Sequence, residues 1–158
     1  MKIKDWIVLA AIFIFCFSQY AISEEAKLSP DFTLRDLNQN TFTLSSYKNK
    51  QPVLLFFWTT WCPFCREELK FLKSAYPELV KENLLLGVIN AGESAAKVDN
   101  FAKSYNLPFQ ILLDTDTSVA AAFGVFGVPT YVLVDKKGYV RFIDNYFPKE
   151  KYKSIISE

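Results

Sequence analysis

The chain has 158 residues, 51% hydrophobic and 16% aromatic, with a net charge of +1. This suits one packed domain with room for a short targeting segment, and it excludes a disordered chain or a basic nucleic-acid footprint. Histidine is absent and cysteine occurs only as Cys16, Cys62 and Cys65, which excludes a Ser-His-Asp triad, a Cys-His protease pair and any His-ligated metal site.

Lys2 and Lys4 precede an apolar run over residues 6–17. In Ala21-Ile22-Ser23, small residues stand at the two positions a signal peptidase reads, so cleavage would fall before Glu24. The run is short against the roughly 20 apolar residues of a spanning helix, but extended to Ile22 it reads as a retained anchor. Residues 1–23 are therefore a signal peptide or an N-terminal membrane anchor. Either reading exports residues 24–158, since the lysines stay on the cytoplasmic side. Cys16 reads as an apolar filler; bulky Phe13, Ile14 and Phe15 before it argue against lipoprotein processing.

Residues 30–50 read as an N-terminal β-hairpin: Phe32 and Leu34, then Phe42 and Leu44, alternate with polar residues around Asn38-Gln39-Asn40. Residues 53–58 form a continuous apolar run, expected of a strand buried on both faces. Leu69, Leu72 and Tyr76 predict a helix over 66–81, with a kink or break near Pro77. A second buried strand follows at 84–90, an amphipathic helix at 94–105, a short strand at 109–113 and a helix at 117–123 near Gly124. Residues 130–135 and 139–144 form a hairpin, and Pro148 precedes a short C-terminal helix. Strands alternating with helices, then a closing hairpin, indicate a three-layer α/β fold with a mixed central sheet.

Between the first buried strand and its helix lies Trp61-Cys62-Pro63-Phe64-Cys65. At a helix start, unpaired backbone N–H groups and the macrodipole stabilise a Cys62 thiolate, lowering its pKa to roughly 3.5–7.5 in such motifs. Cys65, one turn deeper, is spaced to attack a mixed disulfide on Cys62. Pro63 suits the first turn, where a missing N–H loses nothing. Phe64 adds apolar surface but no hydrogen bond to the thiolate, which predicts a less oxidising pair. The alternatives are an incidental buried pair of cysteines or half of a metal site, and the latter lacks further ligands. At Val128-Pro129-Thr130, a proline stands just before a strand. A cis bond there would set an exposed backbone edge beside the disulfide, while an ordinary loop proline is the commoner case.

The chain resembles the TlpA/ResA-type thioredoxin-like oxidoreductases, exported or membrane-anchored bacterial proteins. The matching pieces are residues 30–34, 54–68 (LLFFWTTWCPFCREE), 87–90, 109–116 and 124–135 (GVFGVPTYVLVD). The resemblance implies a thioredoxin-like domain over 24–158 in a bacterial periplasm or extracytoplasmic space. It implies Cys62 as nucleophile, Cys65 as resolving thiol and Pro129 as a cis proline, with Trp61, Pro63, Phe64 and Val128 lining the substrate surface. The family carries an acidic residue three positions after the second cysteine, and Glu68 matches it. One turn beyond Cys65, Glu68 is placed to shuttle its proton; Glu67 reads as a solvated neighbour. Glu93 matches another acidic family position. Ordinary thioredoxin has a buried aspartate where Phe56 stands, so a proton relay must come from elsewhere. Two departures stand out. Many relatives place proline directly before the second cysteine, and the cytochrome c maturation branch often has glutamate where Thr130 stands.

The expected activity is reduction of disulfides in exported proteins, apocytochromes c among them, with electrons from a membrane thiol donor and no cofactor beyond the Cys62–Cys65 disulfide. The rivals are a disulfide oxidase or isomerase, a thiol peroxidase, and a non-catalytic chaperone or copper-binding module. A CxxC pair disfavours the peroxidase, and the missing histidine disfavours the copper module.

Overall fold

The computed structural model describes residues 27–149 and 152–156. The predicted leader and Cys16 lie outside them. Strand β1 (Thr33–Asp36) turns through residues 37–40 into β2 (Thr41–Thr43), which is the predicted N-terminal hairpin. A 3-10 turn at Leu44–Tyr47 leads to β3 (Val53–Trp58). Then follow α1 (Pro63–Lys81), β4 (Leu85–Ala91), α2 (Ala95–Tyr105), β5 (Ile111–Asp114) and α3 (Ser118–Ala122). The hairpin β6 (Thr130–Val134) and β7 (Val140–Asp144) precedes α4 (Tyr152–Ile156).

The strands form one mixed sheet in the order β2-β1-β5-β4-β3-β6-β7. β3, β4 and β5 run parallel, while β6 pairs antiparallel with β3 and β1 antiparallel with β5. The added hairpin thus extends the sheet beyond β5. All six β3 residues are buried, as a central strand covered on both faces requires. Leu54, Phe56 and Trp58 join the core containing Leu69 and Leu72 of α1, Val98 of α2 and Tyr152 of α4. Val53, Leu55 and Phe57 join the opposite core with Val119 of α3 and Phe123. Burying such side chains stabilises the fold by about 1.5–3 kcal/mol each.

α1 begins at Pro63, as the motif implies: Cys62 caps it and Pro63 fills a first-turn position where no N–H is needed, so the helix starts three residues before the span read from apolar spacing. No break occurs at Pro77: α1 runs unbroken to Lys81. Proline removes one backbone hydrogen bond near the helix end, and buried Leu79 keeps the last turn packed against the core. On the opposite face, α3 ends before Gly124, whose φ of +68° turns the chain into the loop leading to Pro129.

Candidate active site

The parallel strands β3 and β4 end at the same edge of the sheet, so the loops after them meet. Trp58 and Asn90 are register partners at that edge. The chain leaves β3 through Thr59 and Thr60 and enters α1 at Cys62, whose extended backbone (φ −79°, ψ 114°) makes it the N-cap. The Cys65 N–H donates to the Cys62 sulfur at 3.1 Å. A first-turn N–H that would otherwise lack a partner is thus spent on the sulfur, which favours negative charge there. Cys62 and Cys65 are joined as a disulfide, with Cα atoms 5.2 Å apart. Both are buried, whereas Trp61, Pro63 and Phe64 beside them are exposed.

Facing this turn is the loop before β6. The Val128–Pro129 peptide is cis, and the Cys62 sulfur lies 3.7 Å from the Val128 carbonyl oxygen. The Thr130 hydroxyl donates to the Gly127 carbonyl at 2.8 Å, and the Asn145 amide donates to the Pro129 carbonyl at 2.7 Å. These bonds fasten the loop from both ends. Phe126, three residues before Pro129, is 101% exposed, and with Trp61 (64%) and Phe64 (75%) it gives this end of the molecule three uncovered aromatic rings.

Two carboxylates flank the motif. Glu93, buried in the loop after β4, accepts from the Thr60 N–H (2.6 Å), the Thr60 hydroxyl (2.7 Å) and the Asn90 amide (2.8 Å). It also pairs with Lys97 at 2.7 Å. Burial acts to raise its pKa, but the hydrogen bonds from Asn90, Lys97 and Thr60 outweigh that and hold it at about 2. Glu68, half-buried on α1, accepts from the Tyr131 hydroxyl at 2.7 Å. Tyr131 is fully enclosed in β6, its ring 4.6 Å from that of Phe56. Burial, reinforced by the Glu68 carboxylate, pushes its phenol far above the ordinary tyrosine value. The hydroxyl therefore stays a protonated donor.

The sequence-predicted residues Trp61, Cys62, Pro63, Phe64, Cys65, Val128 and Pro129 lie together around the disulfide, and Glu68 lies on the helix that carries it. Sequence reasoning missed Phe126, Tyr131 and Asn145. Phe126 and Tyr131 stand within the GVFGVPTYVLVD stretch, so closeness to Pro129 was the available signal. Asn145 carries no comparable signal, since only the β6–β7 pairing returns it to Pro129.

The family model for AhpC/TSA matches residues 26–143. The chain belongs to the AhpC/TSA family. Within that family it is 34% identical over 141 residues to the thiol-disulfide oxidoreductase ResA of Geobacillus kaustophilus, covering 87% of this chain and 80% of that protein. It is 37% identical to ResA of Geobacillus thermodenitrificans (73% of this chain, 66% of that one) and to ResA of Bacillus subtilis (73% and 64%). The chain thus spans slightly less than two thirds of those last two relatives. A secreted Mycobacterium tuberculosis disulfide oxidoreductase homologous to E. coli DsbE superposes with TM-score 0.67 at 25% identity, covering 80% of this chain and 94% of that one. StoA of Bacillus subtilis shares the fold at 24% identity (TM-score 0.69, 83% and 98%). With its bonded Cys62–Cys65 pair, this AhpC/TSA member is a thioredoxin-like thiol–disulfide oxidoreductase, related to ResA and DsbE. Among the described residues, no helix is long and apolar enough to cross a membrane.

Proposed function

We propose that the protein reduces disulfides in exported proteins, apocytochromes c among them, on the outer side of a bacterial cytoplasmic membrane. Cys62 attacks the substrate disulfide and Cys65 resolves the mixed disulfide. The Glu68 carboxylate accepts the Cys65 proton, because one helical turn separates the two side chains. The Cys62–Cys65 pair is the redox group and needs no further cofactor. A membrane thiol donor recharges it, since the exported compartment is otherwise oxidising. Residues 1–23 deliver the domain as a signal peptide or hold it as an anchor.

The observation that carries this reading is the cap geometry. Cys62 takes a backbone N–H from Cys65 at 3.1 Å and faces the Val128 carbonyl across a rim of exposed aromatic side chains. Trp61, Pro63, Phe64, Val128 and Pro129 form the surface on which a substrate segment lies. The reductive direction rests on the resemblance to the TlpA/ResA family and on Phe64, which offers the Cys62 thiolate no polar side chain. The pairing of Cys62 with Cys65 supports exchange over the chemistry of a lone peroxidatic cysteine.

Cys65→Ser is the test. It stalls the reaction after the first attack, so substrates should be recovered from the native compartment as mixed disulfides on Cys62. Recovery of no substrate overturns the reading. The potential of the pair decides direction, and a value near roughly −120 mV, that of a strong oxidant, overturns the reductase assignment in favour of an oxidase.

A further inference from the structure

We propose that Tyr131 is a positioning residue of the redox site: its buried hydroxyl holds the Glu68 carboxylate over the turn of α1 that carries Cys65. This rests on the proton-acceptor role given to Glu68 above.

Tyr131 and Glu68 are 63 positions apart, and the β3–β6 pairing brings them together. Tyr131 is the register partner of Phe56, and its ring is held between Phe56 (4.6 Å) and Phe147 (5.8 Å). Neither phenylalanine can accept a hydrogen bond from the phenol in the ordinary sense. The acceptor is Glu68, at 2.7 Å. Glu68 is half-buried, with a long side chain that loses much rotamer freedom when it is held. A rigid donor fixed in the sheet limits the rotamers of that side chain, and helical i,i+3 spacing sets its Cβ about 5–6 Å from that of Cys65.

The Cys65 thiol gives its proton to the Glu68 carboxylate. The Cys65 sulfur attacks Cys62 of the mixed disulfide, the Cys62–Cys65 bond forms, and the bond from Cys62 to the substrate sulfur breaks. The substrate leaves as a thiolate and takes up a proton. Over the full cycle the dithiol loses two electrons and the substrate disulfide gains them. Tyr131 keeps its own proton throughout.

The experiment follows the reduced full chain reacting with excess oxidised glutathione. Acid quenching, thiol alkylation and mass spectrometry give the rate at which the Cys62–glutathione mixed disulfide decays. In Tyr131→Phe, decay should slow about 10-fold or more at pH 6–7 and recover at pH 9, where a thiol ionises without help. Glu68→Gln should show the same profile, and the double variant should be no slower than Glu68→Gln. Glu68→Asp keeps the acid but shortens its reach, so it should behave like Tyr131→Phe, and it carries the test alone if Tyr131→Phe does not fold. Slowing by the same factor at every pH marks a merely structural role and overturns the proposal. So does a wild-type rate in Tyr131→Phe, or in Glu68→Asp where that variant stands alone, while Glu68→Gln is slow. A wild-type rate in Glu68→Gln removes the Glu68 reading itself, and this proposal with it.

Discussion

Glu93 meets the segment that enters the redox motif, Glu68 lies on the helix that leaves it, and they are held in different ways. Glu93 accepts three hydrogen bonds, from Thr60 and Asn90, and pairs with Lys97. Its oxygens are occupied and its charge is fixed. Glu68 is half-buried, with one described hydrogen bond, from Tyr131. An acid with every lone pair engaged cannot readily take a proton, because protonation would break several good bonds at once. The proposed function gives the proton to the carboxylate with one described partner, not to the one whose oxygens are taken up by Thr60, Asn90 and Lys97.

The strongest way to break this comparison is to remove Glu93. Glu93→Ala leaves the buried Thr60 N–H and the Asn90 amide without their acceptor. Unfolding stability should fall by about 2–4 kcal/mol in denaturant titration. Glu68→Gln should stay within about 0.5 kcal/mol of wild type in the same titration, since the glutamine amide oxygen can still accept from the buried Tyr131 hydroxyl. Equal losses in the two variants would end the distinction between clamp and proton acceptor.

Acid sharpens the same point. The Glu93 pKa is about 2 in the folded protein against an ordinary value of 4.5. Its stabilisation is fully present above 4.5 and is lost as the pH falls from there through about 2. The loss should reach at most about 3 kcal/mol. Wild type and Glu93→Gln, compared across that window, should differ most above pH 5 and converge near pH 2. A gap that stays constant over the window contradicts the assignment.

The smallest effect concerns the open side alone. Phe126→Ser removes a ring that is 101% exposed and so should leave stability unchanged. In dithiothreitol-driven insulin reduction, KM should rise by about 2- to 10-fold with little change in kcat, as the loss of an apolar docking contact predicts. A fall in kcat at constant KM would place Phe126 in the chemistry instead of the docking surface.

Much of the fold was legible because the signals are local. The apolar run over residues 53–58 announced a doubly buried strand, and the alternation around Asn38-Gln39-Asn40 announced the first hairpin. Pro77 misled, because the rule that proline breaks helices is also local, while the packing of Leu79 that carries α1 past it is not. The redox motif was legible for the same reason as the strands: Cys62 and Cys65 sit one turn apart on one helix, so their spacing already sets their geometry. The place of Glu68 one turn beyond Cys65 was legible from the same spacing, but its partner Tyr131 was not. Tyr131 reads from sequence as one more residue of a buried strand.

By itself, then, the sequence determined the redox pair, the strand–helix junction that holds it and the alternation that builds the sheet, all properties of residues within a few positions of one another. Only the tertiary structure decided which partners hold each carboxylate. It joined Thr60 to Glu93 across 33 positions and Glu68 to Tyr131 across 63. Those pairings follow from strand order and register, which set long-range distances that neither propensity nor periodicity encodes.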